Sequence, residues 1–225
     1  MRNMKCSNLN WIDEIPNTWD VQPLKANFIF NKGLSVSKSD LTDEGIDIIS
    51  YGQVHAKEND GVSIKDNLIR HVSPDFADSS ARAHYGDFIF ADTSEDIAGC
   101  GNCVFVDKEA EIYAGYHTIL LKAREEKDNK FLGYLFSTNI WRQQIVKLAG
   151  AVKVYSITQS ILNQVSVIVP PMEEQKQITS YLDEKCGKID EAIERHKAII
   201  ASLEEYKESI IHNAVTGKID CTEEQ

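Results

Sequence analysis

Three short stretches carry side chains that could do chemistry. Gln53, His55 and Lys57 alternate in the first, Arg82 and His84 in the second. The third gathers Lys153, Tyr155, Ser156, Thr158 and Gln159, mixing a cation, an aromatic ring, hydroxyls and a carboxamide. Arginine and lysine donors match the acceptors on guanine, and a glutamine carboxamide matches the donor–acceptor pair of adenine. Lysine, tyrosine, serine and threonine commonly hold phosphates. A solvated loop carries the same residues, and composition alone does not separate the two readings. Bond-making constellations are harder to find. No stretch matches a phosphate-binding glycine loop, an HExxH zinc helix or a Gly-x-Ser-x-Gly elbow. Asp92, Glu95 and Asp96 form an acidic loop cluster, but without the ordered set of oxygens that a calcium loop needs. Cys100-Gly-Asn-Cys103 lacks a second cysteine pair for zinc and runs into Val-Phe-Val, so it reads as a hairpin turn.

The elements that must position these groups fall into two parts. Residues 20–125 alternate short apolar runs with turn signals, which predicts a β-rich domain. Strands are expected at 46–52, after Gly86-Asp87, and at 104–107, 112–113 and 118–121, with 64–72 either a strand or an extended segment. A helix is expected from Asp128 to Gly150, with Phe131, Leu132, Leu135, Phe136, Ile140, Ile145 and Leu148 at helical steps. Thr158 can cap a short helix, and residues 165–169 form a last strand that runs into Pro170-Pro171. The expected domains are 10–169, a long helix over 170–217 and a tail over 218–225.

The long helix has the plainest pattern. Ile178, Leu182, Cys186, Ile189, Ile193, Ile200, Leu203 and Ile210 recur at steps of three, four and seven, with Ala192, Ile199 and Tyr206 in a neighbouring file. At ~1.5 Å per residue such a helix reaches roughly 65 Å. Its stripe needs a partner, and Gly217 is placed to end it. The fold class expected is therefore α+β, a β-rich globular domain followed by a long C-terminal helix that pairs as an antiparallel coiled coil.

Composition narrows the function classes. The 225 residues are 42% hydrophobic, with no window suited to crossing a membrane and no secretory leader at the start, so a cytoplasmic protein is expected. Five scattered cysteines do not suggest a disulfide framework. The net charge of −11 opposes nonspecific binding to nucleic acid. Residues 1–170 hold 17 basic and 22 acidic side chains, so the C-terminal quarter carries more than half of the excess.

Certain segments together resemble the specificity subunits of type I restriction–modification systems. They are VSVIVPPMEEQ (165–175), continuing through Gln177-Ile178 and Tyr181-Leu182, and LEEYKESIIHNAVTGK (203–218). Ile15-Pro-Asn-Thr-Trp19 and Gly86-Asp87 resemble parts of that family's target recognition domain. The resemblance implies a non-catalytic chain that binds half of a split double-stranded DNA target and docks methyltransferase and restriction subunits. S-adenosylmethionine, Mg²⁺ and ATP would act in those partners, with no cofactor in this chain. A full-length family member carries two recognition domains and two helical regions, whereas this sequence holds one of each. The resemblance thus implies a homodimer through the helix and a palindromic split target. Two other readings stay open: a coiled-coil assembly module whose β domain binds protein, and an enzyme using the Asp92–Asp96 loop.

Overall fold

The computed structural model describes residues 2–125, 128–150 and 154–219. Lys153 and the tail from position 220 lie outside the described residues. Elements run in the order β1 (Met4–Leu9), β2 (Ile12–Pro16), β3 (Asp20–Pro23), α1 (Leu24–Asn27), β4 (Phe28–Lys32), β5 (Leu41–Thr42), β6 (Ile46–Ile49) and α2 (Tyr51–Val54). Then come β7 (Arg70–Val72), β8 (Arg82–Ala83), β9 (Phe88–Ala91), β10 (Thr93–Ser94), β11 (Cys103–Phe105), β12 (Ile112–Ala114) and β13 (Thr118–Ala123). The last are α3 (Lys130–Ser137), α4 (Asn139–Ala149), β14 (Tyr155–Ser156), α5 (Gln159–Leu162), β15 (Ser166–Val169) and α6 (Met172–Val215). The chain divides into two compact units, 1–176 and 177–225.

Two larger sheets, of four and five strands, form the centre of the first unit, beside the two-stranded pairs β1-β2, β3-β15 and β10-β14. One is antiparallel, in the order β11-β9-β13-β4; the other is mixed, in the order β5-β7-β6-β12-β8, with β12 parallel to β6. Strand β9 shows why its sequence, Phe-Ile-Phe-Ala, is apolar throughout. Ile89 and Ala91 join Ile49, Val104, Ala114 and Leu120 in a core drawn from both sheets. Phe88 and Phe90 point the other way and meet Phe136 of α3 at ring-centroid distances of 4.9 and 5.6 Å. Both faces are covered, so alternation disappears from the sequence. Trp141 of α4 stacks 4.3 Å from Phe136 and donates its indole N–H to the Ser166 carbonyl.

Turn chemistry fixes the joints. Gly86 takes φ +90°, and the buried Asp87 carboxylate accepts from the amides of His84 (2.8 Å) and Ala123 (2.8 Å). One turn thereby holds the start of β9 against the end of β13. The Cys100–Cys103 segment is a turn, closed by the Asn102 amide on the Gly99 carbonyl (2.9 Å), and Cys103 opens β11. Burial pushes the two thiols up, to about 11 for Cys100 and about 12 for Cys103.

Three expectations need correction. The 46–52 strand stops at Ile49, because the Ser50 amide donates to Gln53 Oε1 (3.3 Å) and the chain turns into α2. The 64–72 stretch, expected as a strand or an extended segment, is strand only over Arg70–Val72, after a 3₁₀ turn at Asp66–Leu68. The helix expected over 128–150 is two helices. Thr138 adopts an extended conformation (φ −81°, ψ 136°), and its hydroxyl accepts from the Trp141 amide at 3.3 Å, which starts α4 afresh. The break turns Ile140 and Leu148 out to solvent and Trp141 inward.

The second unit is the body of α6. Helix α6 is 44 residues long, so at ~1.5 Å per residue it runs about 66 Å. Gly217, at φ +69°, closes it. The Lys218 amide donates to Asn213 O (2.8 Å) and the Gly217 amide to Ala214 O (3.2 Å), the paired bonds of a Schellman motif. Among the described residues its apolar stripe is bare: Ile189, Ile193, Ile199, Ile200, Leu203, Tyr206 and Ile210 are all exposed, and Leu182 is half-buried. No helix among the described residues is long and apolar enough to cross a membrane.

Candidate nucleic-acid interface

Two of the three polar stretches converge on one strand pair. Strand β10 lies antiparallel to β14, with Thr93 opposite Ser156 and Ser94 opposite Tyr155. On one side a hollow of about 400 Å³ is lined by Tyr51, His55, Lys57, Ser94, Glu95 and Asn102. On the other a hollow of about 460 Å³ is lined by Lys32, Asp92, Thr93, His117, Ser156 and Gln159. The Ile157 amide donates to the Asp92 carbonyl (2.7 Å), which extends the pairing beyond the strands.

The groups in this region differ in how free they are. Gln53 caps α2 through its carbonyl oxygen, as described above, and does not alternate with His55 because both sit on a helical turn. Thr158 accepts from the Ile161 amide at 3.3 Å, capping α5 and placing Gln159 at the helix start. Ser156 and Lys57 are exposed, while Tyr155 and Gln159 are half-buried. His55 is held on both ring nitrogens: Nε2 lies 2.9 Å from the Thr93 carbonyl, and Nδ1 lies 3.2 Å from Asn102 Nδ2.

Arg82 and His84 do not join this face. Arg82 lies on β8, opposite Tyr113 of β12, with its guanidinium 3.5 Å from Glu111. His84 lines a separate hollow with Tyr85, Asp87, Glu109 and Lys122. Residue type alone grouped the three stretches; the sheet order puts the second on the edge strand β8 of the mixed sheet, which does not include β10.

Several residues of the face escaped the sequence reading. His117 has a left-handed backbone (φ +52°), which is uncommon for a residue with a Cβ, and is two-thirds exposed. Its Nδ1 lies 3.4 Å from Asp92 Oδ1, an oxygen that accepts no hydrogen bond among the described residues. Tyr51 sits edge-on to both His55 (4.9 Å) and His117 (6.4 Å). Burial, then the Glu95 carboxylate, hold its phenol above the ordinary value, so it stays a neutral donor. The signal available was Gly115-Tyr-His117 between two apolar strands, a turn with two aromatic rings at its tip. The acids of the neighbouring loop are occupied locally: Asp96 Oδ1 accepts from the Gly99 amide (2.7 Å), and Glu95 bonds Tyr51. No group of side chains among the described residues is arranged to hold a metal ion. The face offers hydroxyls, a carboxamide, imidazole and two lysines as donors and acceptors, the equipment for reading edges and holding phosphates.

Comparison with known proteins places this architecture. The family model of the type I restriction modification DNA specificity domain matches residues 16–205. The specificity subunit of the MjaVIII type I restriction enzyme of Methanocaldococcus jannaschii is 27% identical over 217 residues, which is 92% of this chain and 48% of that protein. The EcoKI specificity subunit of Escherichia coli K12 is 19% identical, over 92% of this chain and 44% of its own length. Among solved structures, the HsdS subunit from Thermoanaerobacter tengcongensis aligns with a TM-score of 0.59 at 19% identity, covering 96% of this chain and 48% of its own. A chain from a structure addressing assembly and conformational transition of the type I R-M system aligns at 0.62 and 20% identity, covering 89% and 46%. These likenesses carry the fold, a β-rich domain followed by a long helix. The chain spans about half the length of the curated relatives it matches. With 190 of its 225 residues under the family model, the chain belongs to the type I restriction–modification DNA specificity family.

Proposed function

We propose that this chain is a non-catalytic recognition subunit that reads one half of a split DNA target through the β10–β14 face. The supporting observation is the convergence of His55, Lys57, Ser156 and Gln159, more than 90 residues apart in sequence, on hollows flanking one strand pair. Lys57, Lys32 and Ser156 would hold phosphates, and Gln159 and His117 would face base edges. The bare stripe of α6 would pair antiparallel with a second copy, giving a two-fold assembly whose target is palindromic about a fixed spacer. Methyltransferase subunits would dock on that assembly and supply S-adenosylmethionine chemistry, and a restriction subunit would supply the ATP- and Mg²⁺-dependent steps.

The test is co-expression with its adenine methyltransferase and mapping of methylated adenines across a host genome. One split, palindromic motif is expected, and it should be lost when Gln159→Ala and Ser156→Ala are combined. Methylation that ignores sequence, or its persistence in that variant, would refute the reading; stable association without any DNA dependence would favour a protein-binding module.

A further inference from the structure

Hydrogen-bond directions around His55 fix its chemical state. The Arg142 guanidinium can only donate. It gives Nε to the Phe136 carbonyl (2.7 Å) and Nη1 to Asn102 Oδ1 (2.5 Å) and the Ala98 carbonyl (3.3 Å). The Asn102 atom facing Arg142 is therefore its oxygen, and its NH₂ is turned to His55 Nδ1 (3.2 Å). An amide NH₂ has nothing to accept with, so Nδ1 carries no proton. The Thr93 carbonyl, 2.9 Å from Nε2, only accepts, so Nε2 carries the hydrogen. All of these bonds agree on one neutral tautomer, and an added proton on Nδ1 would confront the Asn102 NH₂.

The same ring is wedged beneath the loop that follows β10. A Cβ added to Gly99 would lie 2.9 Å from His55 Nδ1, so the loop backbone rests on the imidazole. Thr93, the acceptor of the Nε2 hydrogen, is paired with Ser156.

We propose that His55 is a positioning residue, not a base reader. In its neutral Nε2-H form it clamps the 93–102 loop between α2 and Arg142 of α4, and so sets the height of the β10–β14 strand pair. The proposal rests on the recognition reading above, since positioning matters only if that strand pair meets DNA.

Two measurements test it. Nitrogen-15 NMR of the imidazole in the full chain should show His55 Nε2 protonated and Nδ1 bare. Asn102→Asp keeps an acceptor for Arg142 and turns a second oxygen to Nδ1, so Nδ1 should become protonated with the clamp intact. Methyl transfer to the mapped motif by the chain assembled with its methyltransferase gives the functional readout. His55→Ala and Asn102→Leu should raise KM for motif DNA about tenfold with kcat held, the effect of misplaced contacts. A proton on Nδ1 in the wild-type chain overturns the proposal even if His55→Ala fails to fold. So does an unchanged KM in both clamp-breaking variants, with the recognition reading left standing. A wild-type assembly without sequence-specific methylation would overturn the recognition reading, and the role given to His55 with it.

Discussion

Asp87 shows how much one buried side chain can organise. One oxygen takes the His84 amide in the turn before β9, and the other takes the Ala123 amide at the end of β13. Burial raises its pKa above the ordinary 3.8, against the pull of those amides. The folded state therefore keeps this proton to higher pH than the unfolded chain does. The resulting stability is fully present below pH 3.8 and is lost as pH rises through the raised value. Asp40, Asp66 and Asp78 are shifted the opposite way by hydrogen bonds at the surface, so the wild type alone mixes signs. Asp87→Asn isolates the contribution of Asp87. Its single oxygen keeps one amide and its NH₂ confronts the other, so a loss of about 1–3 kcal/mol is expected at neutral pH by urea denaturation. The gap between the two proteins should be widest below pH 3.8 and narrow as pH rises; a constant gap would show that Asp87 does not titrate with folding.

Secondary-structure elements were legible where one periodicity ran unbroken and obscure where a single side chain redirected the chain. The extent of α6 and its closure at Gly217 follow from spacing and a left-handed terminus. Phe88–Phe90 read as a strand, one residue short of its end at Ala91, although only the two covering layers explain why it lacks alternation. Thr138 was invisible, because a threonine between two apolar helical runs fits either one helix or two. Thr138→Ala, which removes the cap of α4, should cost about 1 kcal/mol in denaturant unfolding. The clamp around His55 was equally out of reach: Asn102 lies 47 residues from His55 and 40 from Arg142, so only the packed fold brings them together. For α6 the question is what covers its stripe. Ile200 and Leu203, 57% and 60% exposed, sit one turn apart on it. Ile200→Asp combined with Leu203→Asp would place two carboxylates in an apolar seam. Sedimentation should then show a dimer for the wild type and a monomer for the variant; a dimer in both would put the interface elsewhere.

Net charge governs the molecule as a whole. At −11 the chain repels a polyanion at long range, and the candidate face sets Lys32, Lys57 and His117 beside Asp92, Glu95 and Asp96. Attraction to phosphates is screened beyond about 8 Å at physiological salt, so a few well-placed cations can act locally despite the total. They cannot, however, neutralise many phosphates. Each phosphate contact contributes a slope of about −0.9 to the dependence of log affinity on log salt. Two lysines on the face therefore set a slope of about −2 for the chain alone, with weak binding to motif DNA. Fluorescence anisotropy of the purified chain over a salt series measures both quantities. Tight binding indifferent to salt would mean that base contacts alone suffice, and a slope of about −6 would reveal a basic surface away from the β10–β14 face. With methyltransferase subunits added, the slope should steepen while the motif stays the same, because partners would bring the missing phosphate contacts and this chain the choice of sequence.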